Sequence, residues 1–287
     1  MTYHGLKATI KNTLVLSRPR FWVYVLGPSV LTLATINSSS LVSLNIIIMF
    51  IYFTFPANIL IYGVNDLYDK DTDSHNEKKA GYEKALSSNT TKDKTLKAII
   101  FYSNAVFIGY ALLNFTLLSN IFLAIFILLA LQYSAPPLRA KAIPFVDSIV
   151  SGFLYILPVF VSWGILYNTL PPLLPVLAGV IWAVSMHAYS AVPDINADTK
   201  AGIKTGATLL GKNKMLLLCG LLFGLASILA FPYLGWFSFA AGLVYLLIIT
   251  LSIKKKRPED TLVYYKLFPI INTLAGGVIF FTIYWSS

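Results

Sequence analysis

The chain has 287 residues, of which 57% are hydrophobic and only 12% charged, and its mean hydropathy is +0.72. These values exclude a soluble globule carrying a separate catalytic domain and describe an integral membrane protein. A formal charge of +10 would suggest nucleic acid in a soluble chain; here it is a topology signal and an attraction to anionic lipid, so the expected partner is the bilayer and no nucleic acid. The single cysteine, Cys219, lies in an apolar run and excludes a disulfide framework.

In chain order, the first 20 residues interleave apolar side chains with Lys7 and Lys11 and read as an interfacial amphipathic segment, not a cleavable signal peptide. A membrane span needs roughly 20 mainly apolar residues. Runs of that kind near 21–37, 42–64, 96–115, 117–133, 146–166, 172–192, 214–231, 234–252 and 264–285 predict about nine transmembrane helices. The expected fold class is an all-α integral membrane protein, one transmembrane domain over 1–287, with cap connections at 66–95 and 193–213.

All 22 Lys and Arg residues fall before the first span or in the connections after spans two, four, six and eight. By the positive-inside rule the amino terminus and every charged connection are therefore cytoplasmic, and the carboxyl terminus is outside. All 12 acidic residues lie on that same face or at the helix ends beside it. A proton or ion transporter would need ionisable groups at mid-span, and the chemistry instead sits at one face of the cell membrane.

After span two comes Asn65, Asp66, Leu67, Tyr68, Asp69, Lys70, Asp71, Thr72, Asp73. On a continuing helix Asp66, Asp69 and Asp73 stand at i, i+3 and i+7, so three carboxylates line one stripe. Their repulsion demands a positive partner, and hard oxygen ligands in this number suit magnesium shared with phosphate oxygens. After span six, Asp194 and Asp198 share a face at i, i+4, while Gly202 and Gly206 allow a tight turn. Two acidic sites on one membrane face can hold two or three Mg2+ ions around one diphosphate. Lys78, Lys79, Arg139, Lys141, Lys200 and Lys204 lie in the right connections to bind its oxygens. Arg139 and Lys141 are the better placed, because Pro136 and Pro137 fix the turn before them.

A metal-held diphosphate beside an apolar cavity suggests ionisation of an allylic diphosphate, with a dry cavity protecting the carbocation. Aromatic faces stabilise cations, and Tyr62, Tyr68, Tyr133, Tyr155 and Tyr189 sit near the acidic clusters. His187, two helical turns before Asp194, can orient an acceptor or move a proton.

These residues resemble the UbiA-type superfamily of intramembrane prenyltransferases across essentially the whole chain. Asn65, Asp66, Asp69 and Asp73 match its NDxxDxxxD signature, Asn76 with Lys78 and Lys79 its basic continuation, Tyr133 to Lys141 its YSxPPxR segment, and Asp194 with Asp198 its second DxxxD. The resemblance implies nine helices around a central lipid-open cavity, with Mg2+ and a prenyl diphosphate under a cytoplasmic cap. SRPRFWVYVLGP (Ser17 to Pro28), PFVDS (Pro144 to Ser148), LYILP (Leu154 to Pro158) and MHAYSAVPDI (Met186 to Ile195) look most like the lycopene elongase branch. That branch implies transfer of a dimethylallyl unit from dimethylallyl diphosphate to an end of lycopene in carotenoid biosynthesis, in some members with addition of water. GYEKALSSN from Gly81 departs from the Arg-Pro ending of quinone-pathway members, which weakens the alternative of an aromatic quinone or heme precursor, or a glycerol lipid, as acceptor. A membrane carrier or scaffold is the remote alternative.

Overall fold

The computed structural model describes residues 12–36, 43–68 and 93–286, and among them it contains helices and turns but no strand. The expected stripe residues Asp69 and Asp73, the basic pair Lys78 and Lys79, and most of the 66–95 connection and of the 1–20 segment lie outside the described residues. The long elements are α1 (Trp22–Val30), α2 (Leu44–Thr54), α3 (Pro56–Tyr68), α4 (Asp93–Asn114), α5 (Leu117–Ser134), α6 (Val146–Tyr167), α7 (Leu173–Ser190), the short α8 (Ile195–Lys200), α9 (Gly206–Leu234), α10 (Trp236–Ile253), the one-turn α11 (Leu262–Tyr265) and α12 (Phe268–Ser286). Eight stretches among the described residues are long and apolar enough to cross a membrane, α2 and α3 counting together as one.

The expected first span departs from a single long helix. Pro28 sits near the end of α1, and a 3-10 turn continues it from Leu31 to Thr35. Thr32 and Thr35 return their hydroxyls to the carbonyls of Ser29 and Thr32. At 1.5 Å per α residue and 2.0 Å per 3-10 residue, the two pieces together rise about 24 Å, most of the hydrocarbon thickness.

The second span bends at Phe55 and Pro56. Proline removes one amide donor, and two carbonyls freed at the bend are taken by a side chain, Asn58 Nδ2 donating to Phe53 and Thr54, while Asn104 Nδ2 of α4 adds a bond to the Pro56 carbonyl. Beyond the bend α3 runs to Tyr68, a turn past the expected end, and so carries Asp66 on helix. The seventh span starts at Gly206, earlier than expected, because Thr205 and Thr208 form a reciprocal capping box. A kink at Gly211, whose φ of 74° only glycine adopts readily, then lets the chain enter the apolar run.

Packing follows chain order, α5 on α6, α6 on α7, α7 on α9 and α9 on α10, and α12 returns to α1 and its 3-10 turn. Two buried cores result. One is built around Phe53, Ile59 and Phe126 of the amino-terminal half, the other around Tyr189, Phe223 and Phe268 of the carboxyl-terminal half, and Tyr155 of α6 packs against both. The carboxyl ends of α3, α5 and α7 therefore meet at one end of the bundle.

Candidate functional site

Asp66 stands in the last turn of α3, 6% exposed. A carboxylate that deep needs a partner, and the guanidinium of Arg18 binds it at 2.8 Å. Arg18 adopts a left-handed backbone (φ 47°, ψ 69°) immediately before Pro19. Trp22 Nε1 ties down the preceding residue by donating to the Ser17 carbonyl at 3.1 Å. The guanidinium also lies 4.6 Å from the centre of the Tyr62 ring. Beside Asp66, Asn65 donates through Nδ2 to Ser134 Oγ at 3.3 Å. Its Oδ1 is buried and accepts no hydrogen bond from any described residue.

The turn after α5 supplies the cations. The Pro136–Pro137 peptide is cis, and Arg139 takes a positive φ of 45°. Lys141 is 9% exposed. Burial pushes its ammonium down to about 8, against the opposing pull of Asp198 and Asp66. One lysine thus feels both acidic clusters, which brings α3, the turn after α5 and α8 to a common point. Asp194 is the residue before α8, and the Asp198 amide donates to its carbonyl at 2.8 Å, so the two carboxylates lie one turn apart on a short helix. Gly202 ends that helix with a φ of 69°. Gly206 has a different reason: a Cβ there would stand 2.9 Å from Met215 Cε and 3.2 Å from the Phe145 ring. Lys200 and Lys204 stand exposed on the cap, outside the buried set.

Just below this mouth, Tyr133 near the end of α5 has its hydroxyl 3.0 Å from His187 Nε2 of α7. Asp147 and Asp198 both act electrostatically on Tyr133. Tyr155 lies 5.6 Å from Tyr24 between ring centres, and Tyr24 lines an apolar cavity of about 920 Å³ enclosed by α1, α6, α7, α9, α10 and α12. Val23, Leu31, Trp163, Trp182, Phe223 and Phe280 form much of its wall. That volume lies at the upper end of ordinary ligand pockets. None of the charged residues of the mouth lines this chamber, which runs from Tyr24 to Thr35, Pro171 and Tyr233 at the opposite helix ends and meets the mouth side through the Tyr155–Tyr24 contact. A charged end and an apolar chamber in one bundle suit a substrate with an anionic head and a hydrocarbon body.

Tyr189 differs from the expectation placed on it. It is fully buried, packs on Phe268 at 4.9 Å and hydrogen-bonds Ser252 Oγ at 2.6 Å, as a core residue does. Three residues of the mouth and of the Tyr133 cluster below it were not among the expected site residues. Arg18 entered the sequence reading as a topological charge and within the SRPRFWVYVLGP segment, Asp147 within PFVDS, and Ser151 not at all; none was given a site role.

No group of three or more His, Cys, Asp or Glu poised to hold a metal occurs among the described residues. The oxygen donors that are described nonetheless fit a hard cation: the unpartnered Asn65 Oδ1 beside Asp66, with Asp198 across Lys141.

The family described as UbiA prenyltransferase matches residues 25–272. The chain belongs to the UbiA prenyltransferase family. It is a multi-pass membrane prenyltransferase, like the lycopene elongases in kind. A lycopene elongase/hydratase of Haloarcula japonica is 37% identical over 94% of this chain and 90% of its own length. One of Halobacterium salinarum is 41% identical over 71% of this chain and 73% of its own. In fold, the chain is similar to a UbiA homolog from Archaeoglobus fulgidus solved with GPP and Mg2+, with a TM-score of 0.68 and 21% identity over 94% of this chain and 99% of that one. The same homolog bound to DMAPP and Mg2+ gives a TM-score of 0.68 at 20% identity, over 94% and 98%. That homolog thus binds Mg2+ together with a prenyl diphosphate.

Proposed function

We propose that the protein is a magnesium-dependent prenyltransferase of carotenoid biosynthesis that moves a dimethylallyl group from dimethylallyl diphosphate to an end of lycopene. The names of its relatives support the acceptor, and the ligands of its structural neighbours support the donor and the metal. The observation that carries the reading is the position of Lys141, buried and acted on by both Asp66 and Asp198. A cation held between two acidic clusters marks where an anion shared by them would sit.

In this reading Asp66, Asp69, Asp73, Asp194 and Asp198 would hold Mg2+, which when bound would supply positive charge against the departing diphosphate, and Asn65 binds on the diphosphate side. Arg139 and Lys141 bind diphosphate oxygens, with Lys78, Lys79, Lys200 and Lys204 contributing from the cap connections. The carbon–oxygen bond of the donor breaks with its electron pair left on the diphosphate. Tyr133 offers an aromatic ring to the allylic cation. The apolar cavity takes the polyene and excludes water from the cation. The terminal double bond of the acceptor supplies the pair for the new carbon–carbon bond, and the tertiary cation left behind loses a proton or takes up water. The gathering of Lys and Arg in alternate connections supports a cytoplasmic site and amino terminus and an outer carboxyl terminus.

The test is turnover by the purified protein in lipid vesicles with dimethylallyl diphosphate and lycopene. Elongated product should require Mg2+ and disappear in Asp198→Asn. Product formed equally well after chelation would contradict the metal's role.

A further inference from the structure

Prenyl transfer onto a double bond leaves a tertiary cation in the apolar part of the site, and something must accept a proton before product can leave. Asp66 is paired with Arg18, and Asp66 and Asp198 both act on Lys141. Deeper in, three helices bring together a second set of polar groups. His187 Nε2 of α7 lies 3.0 Å from the hydroxyl of Tyr133 on α5 and 3.4 Å from Ser151 Oγ on α6. The Tyr133 and His187 rings meet edge to face, 5.9 Å between centres at 86°. Asp147 and Ser151 are spaced i, i+4 and share a face of α6, and both are buried. Ser148 Oγ donates to Asp147 Oδ2 at 3.3 Å, and Asp147 acts electrostatically on Tyr133. One further turn along α6 is Tyr155, which reaches the Tyr24 wall of the cavity. These groups sit near the ends of their helices, yet Asp147 and Ser151 are buried there, and burying polar groups is costly unless they are paired.

We propose that Tyr133, His187 and Ser151, backed by Asp147, form the proton-accepting site that ends the reaction. The inference rests on the prenyl-transfer reading above and adds the step that reading leaves open. Tyr133 is the group that meets the substrate. A proton leaves the carbon next to the cationic centre for the Tyr133 oxygen while the Tyr133 hydroxyl proton passes to His187 Nε2. The freed carbon–hydrogen pair becomes the new double bond. When water adds instead, its oxygen bonds the cationic carbon and one of its protons follows the same path. His187 accepts at Nε2 when its hydrogen is on Nδ1, and the Asp147 charge favours the resulting imidazolium. His187 acts through Tyr133, and Ser151 holds the imidazole edge in place. Both are positioning residues.

The experiment compares wild type, His187→Gln and Ser151→Ala in vesicles with dimethylallyl diphosphate, Mg2+ and lycopene, reading kcat, donor KM and the ratio of proton-loss to water-addition products. His187→Gln should lower kcat by about 100-fold with donor KM changed less than about twofold, and should alter the product ratio. Ser151→Ala should shift the same ratio by less, and it carries the expectation alone where His187→Gln does not fold. Unchanged kcat and ratio in both variants would overturn the inference and assign the proton to the departing diphosphate. Wild type that makes no elongated product would overturn the acceptor reading and this inference with it.

Discussion

Arg18 and Asp66, 48 residues apart, form a buried ion pair at 2.8 Å, with side chains 5% and 3% exposed. The pair joins the segment before α1 to the end of α3 and gives the first acidic cluster a cation from the protein itself. Removing Arg18 takes away the counterion 2.8 Å from a buried carboxylate, so Arg18→Ala should destabilise the substrate-free protein by up to about 3 to 5 kcal/mol. Thermal melting in detergent measures this. Addition of Mg2+ with inorganic diphosphate should recover part of the loss, because a bound cation would again balance Asp66.

Lys141 makes the site pH-dependent with a definite sign. The unfolded chain holds that proton up to its ordinary value near 10.5, whereas burial makes the folded chain release it at about 8. Between these values the unfolded state binds more protons, so the substrate-free protein should gain stability as pH rises from about 8, and Lys141→Met should flatten that slope. Donor binding runs the other way, since diphosphate recognises the charged form. Donor KM should rise above pH 8 in wild type and stay level in Lys141→Arg, whose charge persists. Identical pH profiles for the two proteins would contradict a role for Lys141 in holding the donor.

Asp198 carries the second cluster into the site. Loss of a charge-stabilising interaction of several kcal/mol predicts that Asp198→Asn lowers turnover by about 100-fold or more without lowering the melting temperature. The same split is expected for Asp69→Ala. Retained turnover in either variant would remove that residue from the metal set.

The α5 and α6 helices meet at a point where no side chain fits. A Cβ on Gly164 would stand 2.5 Å from Ser119 Oγ and 3.2 Å from the Ser119 amide. Ser119 Oγ also donates to the Val161 carbonyl at 3.0 Å across the same contact. Gly164→Ala should force the helices apart and cost about 1 to 3 kcal/mol, read by thermal melting, whereas alanine at Gly224, which has open space around it, should be neutral.

Most of the fold was legible because lipid imposes a simple rule of long apolar runs with charges gathered between alternate pairs. The rule weakens where backbone chemistry intervenes. Pro28 and the 3-10 turn shorten the first span, Pro56 bends the second, and the Thr205 capping box starts the seventh in polar sequence. Asp66, Asp198 and Lys141 were legible in the site because local spacing and membrane face bring their helix ends together. Arg18 was not, because its partner is 48 residues away and no local pattern encodes that distance. Asp147 entered the sequence reading only within the PFVDS segment of the resemblance and was given no role, because nothing local to it shows that Tyr133 and His187 lie near it. Tyr189 misled in the opposite direction. An aromatic ring near an acidic cluster looks functional until its packing on Phe268 is seen.

The most direct test of the central claim is pigment analysis in a bacterial strain that makes only lycopene, expressing either this protein or its Asp198→Asn variant. New pigments heavier by one or two five-carbon units are expected with the wild-type chain and none with the variant, their oxygen content reporting whether water was added. Unchanged lycopene beside well-expressed, correctly melting wild-type protein would contradict the carotenoid acceptor.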